Sequence, residues 1–127
     1  MTYAIQTLLL VAAGLAAEPV EVTAVLAPPE TPFHRPALYT IVVEAPADAN
    51  VTMPKLADEI EGLEVKDAGF TTQALEDGRQ QFRQSFQLDP IDIKTHVLPR
   101  LDVVWGEDNV LQTPPMALRV RALTEEE

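Results

Sequence analysis

Cysteine is absent from the 127 residues. No disulfide, thiolate nucleophile, zinc–thiolate centre or lipid-anchored N-terminal cysteine is therefore available. Glycine is scarce at five residues, and neither a phosphate-cradling loop nor a Gly-x-Ser-x-Gly elbow occurs. Basic residues are also few, nine against twenty acidic, for a formal net charge of −11. Such a surface repels nucleic-acid phosphates and anionic membranes. It suits solubility or a partner carrying a basic patch.

Apolar residues make up 46% of the chain, enough for the core of one ordinary domain. The first 17 residues stand apart: MTYAIQT leads into an apolar run from Leu8 to Ala17, followed by Glu18-Pro19. A secretory signal peptide has this form. Cleavage after Ala16 places Gly14 and Ala16 at the two small-residue positions, and cleavage after Ala17 is the alternative. No Lys or Arg precedes the run, which departs from the usual pattern. A buried N-terminal helix and an uncleaved anchor are the other readings, although ten apolar residues are short for the ~20 that span a bilayer. The expected organisation is a signal peptide at 1–17, one domain at 18–123 and an acidic tail at 124–127, in a protein that is periplasmic or secreted and has no membrane span after cleavage.

Beyond the leader the hydrophobic period is two. Val20, Val22 and Leu26 share a face. In ALYTIVVEA, Ala37, Tyr39, Ile41, Val43 and Ala45 form a wholly apolar face and the alternate residues a mixed one, the pattern of a central strand. Phe82, Phe86 and Leu88 alternate with Gln81, Arg83, Ser85 and Gln87. Val97, Leu101, Val103 and Trp105 are expected inward, with Arg100 and Asp102 outward. Met116, Leu118, Val120 and Ala122 are expected inward, with Arg119 and Arg121 outward. Glu76-Asp77-Gly78-Arg79 reads as a hairpin turn, and Gly106-Glu107-Asp108-Asn109 as another. The eleven prolines fall mostly between runs, but Pro99 lies inside one and marks an edge or a bulge. Leu56–Leu63 is expected to be a loop or one short helix. The fold class is all-β: an immunoglobulin-like antiparallel β-sandwich of about seven strands.

Chemistry-bearing residues are concentrated in FQLDPIDIKTHVLPRLDVVW. Asp89 and Asp92 supply too few oxygens for calcium, which takes six to eight. His34 and His96 have no metal-ligand spacing around them. Both aspartates and His96 are expected to be polar turn or strand-end residues facing water. Ser85 sits on the polar face of a strand. Neither a catalytic residue, a metal site nor a cofactor is expected. Trp105, Phe82 and Phe86 are in phase with the core rather than with a sugar-stacking platform. The outward Arg119 and Arg121, with Arg83 and Arg100, are the candidate partner-binding residues.

The C-terminal half has a further order: an aromatic alternating strand, Leu88-x-Pro90, a turn, Leu98-Pro99-x-Leu101, a strand, Thr113-Pro114-Pro115 and then Met116-x-Leu118-x-Val120. From Phe82 to Val120 it resembles the immunoglobulin-like repeats of the BatD family, bacterial proteins linked to oxygen tolerance. Lys94 stands where that family usually has a turn glycine, and His34-Arg35-Pro36 where it has a glycine-plus-acid step. Family members are usually longer and end in a membrane helix. The resemblance implies a non-catalytic component of the cell envelope, with membrane proteins of the von Willebrand factor A type as partners and no catalytic residues to transfer. The alternative is a small-ligand or carbohydrate-binding sandwich, which requires Tyr39 or Trp105 at the surface. A hydrolase would instead require Asp89, Asp92 and His96 to converge.

Overall fold

The computed structural model describes residues 10–17, 20–60 and 62–124, with side chains described from Val20 onward. Among the described residues twelve strands follow one another: β1 (Leu10–Ala17), β2 (Val20–Ala27), β3 (Glu30–Pro32), β4 (Ala37–Pro46), β5 (Val51–Thr52), β6 (Glu59–Ile60), β7 (Leu63–Ala74), β8 (Arg79–Pro90), β9 (Thr95–Leu98), β10 (Asp102–Trp105), β11 (Asn109–Gln112) and β12 (Met116–Arg121). One sheet has the order β1-β2-β4-β8-β7-β6. The others are β11-β10-β5 and β3-β12-β9.

The two three-stranded sheets are halves of one layer. β10 pairs with β11 through Asp102↔Gln112, and β9 pairs with β12 through Leu98↔Met116, four residues earlier on one side and four later on the other. The register is therefore unbroken, and β9–β10 and β11–β12 form a single long hairpin. Its interruption falls where prolines remove ladder donors, at Pro99 on one side and Pro114-Pro115 on the other. The result is a sandwich of β2, β4, β8 and β7 facing β5, β9–β10 and β11–β12. This is an all-β antiparallel sandwich, consistent with the immunoglobulin-like class expected from the sequence.

The chain passes between the layers at Pro28-Pro29, after which β3 runs parallel to β12. β4 is the central strand, paired with β2 on one side and β8 on the other. Its Ala37, Tyr39, Ile41, Val43 and Ala45 are buried, as the alternation requires. They pack with Val20, Val22, Ala24 and Leu26 of β2 and Phe86 and Leu88 of β8, against Leu98, Val103, Met116, Leu118 and Val120 of the other layer. Burial of each such aliphatic side chain stabilises by about 1.5–3 kcal/mol.

Four expectations change. Ala122, expected inward, is exposed, because β12 ends at Arg121 and the alternation stops there. Val97 is the most exposed large apolar residue among those described instead of an inward one, because the strand changes phase around Pro99. His96 and Leu98 point inward before the break, Val103 after it. Leu56–Leu63 forms no helix. Glu59–Ile60 pairs back onto Leu63–Glu64 through a turn at Gly62, whose φ is +81°. Leu56 and Leu63 are nevertheless buried and Ile60 packs on the core, so the apolar spacing serves a small hairpin. His96, expected to face water, is 2% exposed.

Both turns form as read. Leu75 N–H donates to Arg79 O at 2.8 Å, closing a loop in which Asp77 and Gly78 both have positive φ. Gly106 turns β10 into β11 at φ +66°. Of the expected leader, residues 1–9 and the Glu18-Pro19 step lie outside the described residues, and β1 is a strand antiparallel to β2. Residues 125–127 of the acidic tail also lie outside them.

Candidate functional site

Parallel pairing of β12 with β3 sets Arg119 beside Glu30 and Arg121 beside Pro32. Both arginines alternate outward from the buried Leu118 and Val120. They converge on a single carboxylate. Arg119 Nη1 lies 3.9 Å and Arg121 Nε 3.5 Å from the oxygens of Glu30. Arg121 also donates to Ala122 O at 3.1 Å. The Arg119 side chain is 71% exposed, so most of its donor fork faces solvent. The exposed Arg119 guanidinium presents a fork of donors whose geometry matches a carboxylate.

Arg83 and Arg100 do not join them. Arg83 lies on β8 opposite Val42 and Thr71, exposed on the outward side of the larger sheet. Its Nε donates to Gln81 Oε1 at 3.2 Å. Arg100 is exposed in the break between β9 and β10.

The segment from Asp89 to His96 is more tied down than a solvated turn. The Asp89 carboxylate accepts from Gln87 Nε2 at 3.0 Å and pairs with Lys66 Nζ at 3.3 Å, the two β-strands placing these residues side by side. The His96 ring packs against Gly62, where an added Cβ would lie 2.5 Å from His96 Cε1 and 2.9 Å from Asp92 Oδ2. His96 Nε2 is 3.0 Å from the Asp92 backbone oxygen, a bond that holds the loop over the strand. A hollow of about 210 Å³ opens nearby, lined by Ile60, Lys94, Thr95, His96 and Val97. Among the described residues no three His, Asp or Glu side chains gather in a way that would hold a metal ion.

The aromatic residues divide by position. Tyr39 is fully buried, and its hydroxyl has no hydrogen-bond partner. Burial raises the phenol pKa. The Thr113 hydroxyl, which accepts from Leu101 N–H and keeps its own proton available, pulls the other way and is the smaller effect. Trp105 is half-buried against the core, with its indole N–H enclosed and unpartnered. Among the described Phe, Tyr and Trp residues the most exposed is Phe70 on β7, at 50%. Sequence reading misses it because a bulge between Asp67 and Gly69 breaks the alternation there. The available signal was AGFTTQA itself, seven uncharged residues with an aromatic among them.

Comparison with protein-family models, curated proteins and solved structures gave no match for this chain. No helix among the described residues is long and apolar enough to cross a membrane.

Proposed function

We propose that this chain is an exported, non-catalytic interaction module of the BatD type, acting in the bacterial cell envelope with membrane proteins that carry von Willebrand factor A domains. The observation that carries the reading is the Arg119–Arg121 pair, held side by side over Glu30 on a chain of net charge −11. On such a chain, an exposed cationic pair is a local inversion of charge. It recognises a carboxylate of a partner in a planar, two-pronged way that lysine does not reproduce. The ion pairs to Glu30 restrict both side chains, which reduces the ordering cost of binding an external carboxylate.

The immunoglobulin-like fold by itself hosts many functions, so it adds context rather than proof. The apolar leader and the Leu-Pro-x-Leu and Thr-Pro-Pro steps support the envelope assignment through the resemblance. The carbohydrate-binding alternative requires Tyr39 or Trp105 at the surface; Tyr39 is sealed in the core and Trp105 is half-buried against it.

Charge reversal tests the reading. In a complex crosslinked and captured from the native cells, Arg119→Glu with Arg121→Glu lowers partner affinity by about tenfold or more, each tenfold being worth about 1.4 kcal/mol. Arg83→Glu, on the other layer, leaves it unchanged. Equal binding by the double variant would remove the β12 face as the docking surface.

A further inference from the structure

β7 is an edge strand over most of its length. β6 pairs with it only at Leu63 and Glu64. From Asp67 to Ala74 no strand lies on its outer side among the described residues, while β8 pairs with its inner side throughout. Exposed edges normally carry lysine, proline or another device that blocks pairing with a foreign strand. Here Ala68 to Ala74 contains neither lysine, proline nor any charge. The bulge at Asp67–Gly69 is confined to its start, where Gly69 N–H donates to Asp67 Oδ1 at 2.8 Å.

The side chains of this stretch are exposed, Phe70 among them. Phe70 and Thr72 pair with Gln84 and Phe82, the β8 residues in phase with buried Phe86 and Leu88. Phe70 therefore sits on the core-facing side of the sheet, at a place the smaller layer does not cover. Charge supplies the complementary argument. Between Leu63 and Gly78, Glu64, Asp67, Glu76 and Asp77 stand against Lys66, and Lys66 is paired with Asp89. A second copy of the chain would bring another −11 to this edge.

We infer that the β7 edge from Asp67 to Ala74 docks an extended segment of a basic partner protein, which adds a strand to the larger sheet and covers Phe70 with an apolar residue. Backbone pairing supplies the affinity, and the carboxylates select a cationic segment. The inference rests on the interaction-module reading and gives it a second surface, distinct from the arginine pair.

The probe is a twelve-residue peptide alternating lysine with valine and threonine, with a glutamate counterpart as control. Amide hydrogen exchange is read along the whole chain. The lysine peptide slows exchange at Phe70–Ala74 by about tenfold or more, and rising salt weakens the effect because exposed charges are screened. Phe70→Lys or Thr72→Lys, each folded by circular dichroism, lowers the peptide affinity by about tenfold, whereas Val97→Lys, the same change at another exposed apolar site, does not. Equal protection by the glutamate peptide, or protection confined to other strands, overturns the proposal. So does concentration-dependent protection without peptide, which would assign the edge to a second copy. A partner captured from cells that leaves β7 unprotected overturns this inference alone; a failure to capture any partner overturns the reading beneath it.

Discussion

Leu101 and Thr113 exchange two hydrogen bonds across the break in the long hairpin. Thr113 N–H donates to Leu101 O at 2.9 Å, and Leu101 N–H donates to the Thr113 hydroxyl at 2.8 Å. The side chain thus takes the place of a carbonyl at the point where prolines interrupt the ladder. Thr113 is fully buried, so no water replaces the hydroxyl if it is removed. Thr113→Val should destabilise by about 1–3 kcal/mol, the cost of a buried donor left unpaired. Thr113→Ser should recover part of the loss. Urea denaturation of the three proteins decides; a valine variant as stable as the native chain would refute the role.

The buried Tyr39 hydroxyl makes the opposite prediction. It is unpartnered, so Tyr39→Phe should be neutral or stabilising. The pH dependence follows from the raised phenol pKa. Above the ordinary value of 10.0 the unfolded phenol loses its proton first, so the native state binds more protons. Stability is complete below that pH and declines as pH rises toward the folded pKa. Tyr39→Phe should lessen the alkaline decline, measured as the difference between the two proteins' stabilities across that range. Parallel curves would contradict it.

Gly62 and Gly78 both have positive φ but differ in surroundings. Gly62 faces His96 and Asp92 within 3 Å of a Cβ position, whereas nothing lies within 4 Å at Gly78. Gly78→Ala should lose only the backbone preference, about 1–2 kcal/mol. Gly62→Ala adds a collision with a buried ring and should cost about 1–3 kcal/mol more. Equal losses in thermal or chemical denaturation would show that His96 moves aside freely.

How much of this was legible in the sequence depends on whether the strand period survives. From Ala37 to Ala45 nothing interrupts the alternation, and each apolar residue predicted inward is buried. Between Leu98 and Val103 the phase changes, as it does between Leu111 and Met116 on the paired strand, so Val97 and Leu98 exchange sides relative to an uninterrupted strand. On β7 a bulge and a half-exposed hairpin dilute the pattern, and Phe70 escapes notice. Arg119 and Arg121 were visible as an outward pair. Glu30 was not, because the parallel approach of β3 brings together residues almost ninety positions apart.

The phase change can be checked directly. Leu98→Ala should cost about 2–5 kcal/mol and Val97→Ala less than about 0.5 kcal/mol, since one side chain is buried and the other exposed. The reverse order in denaturant titrations would restore the uninterrupted strand.

Glu30 pairs with Arg119 and Arg121 at the surface, where ion pairs contribute little to stability. Glu30→Ala should change unfolding free energy by less than about 1 kcal/mol. It should nevertheless alter affinity for a captured partner. A large stability loss with unchanged binding would make the cluster structural.

The central claim is that the chain is exported and works by binding envelope proteins. It is tested most directly by crosslinking intact native cells that produce the C-terminally tagged protein, separating cytoplasm, periplasm and membranes, and determining the N-terminus and companions of what is captured. The account predicts a chain beginning at Ala17 or Glu18, recovered from the periplasm or membranes with von Willebrand factor A-domain proteins. A chain retaining Met1, recovered from the cytoplasm without them, would contradict it.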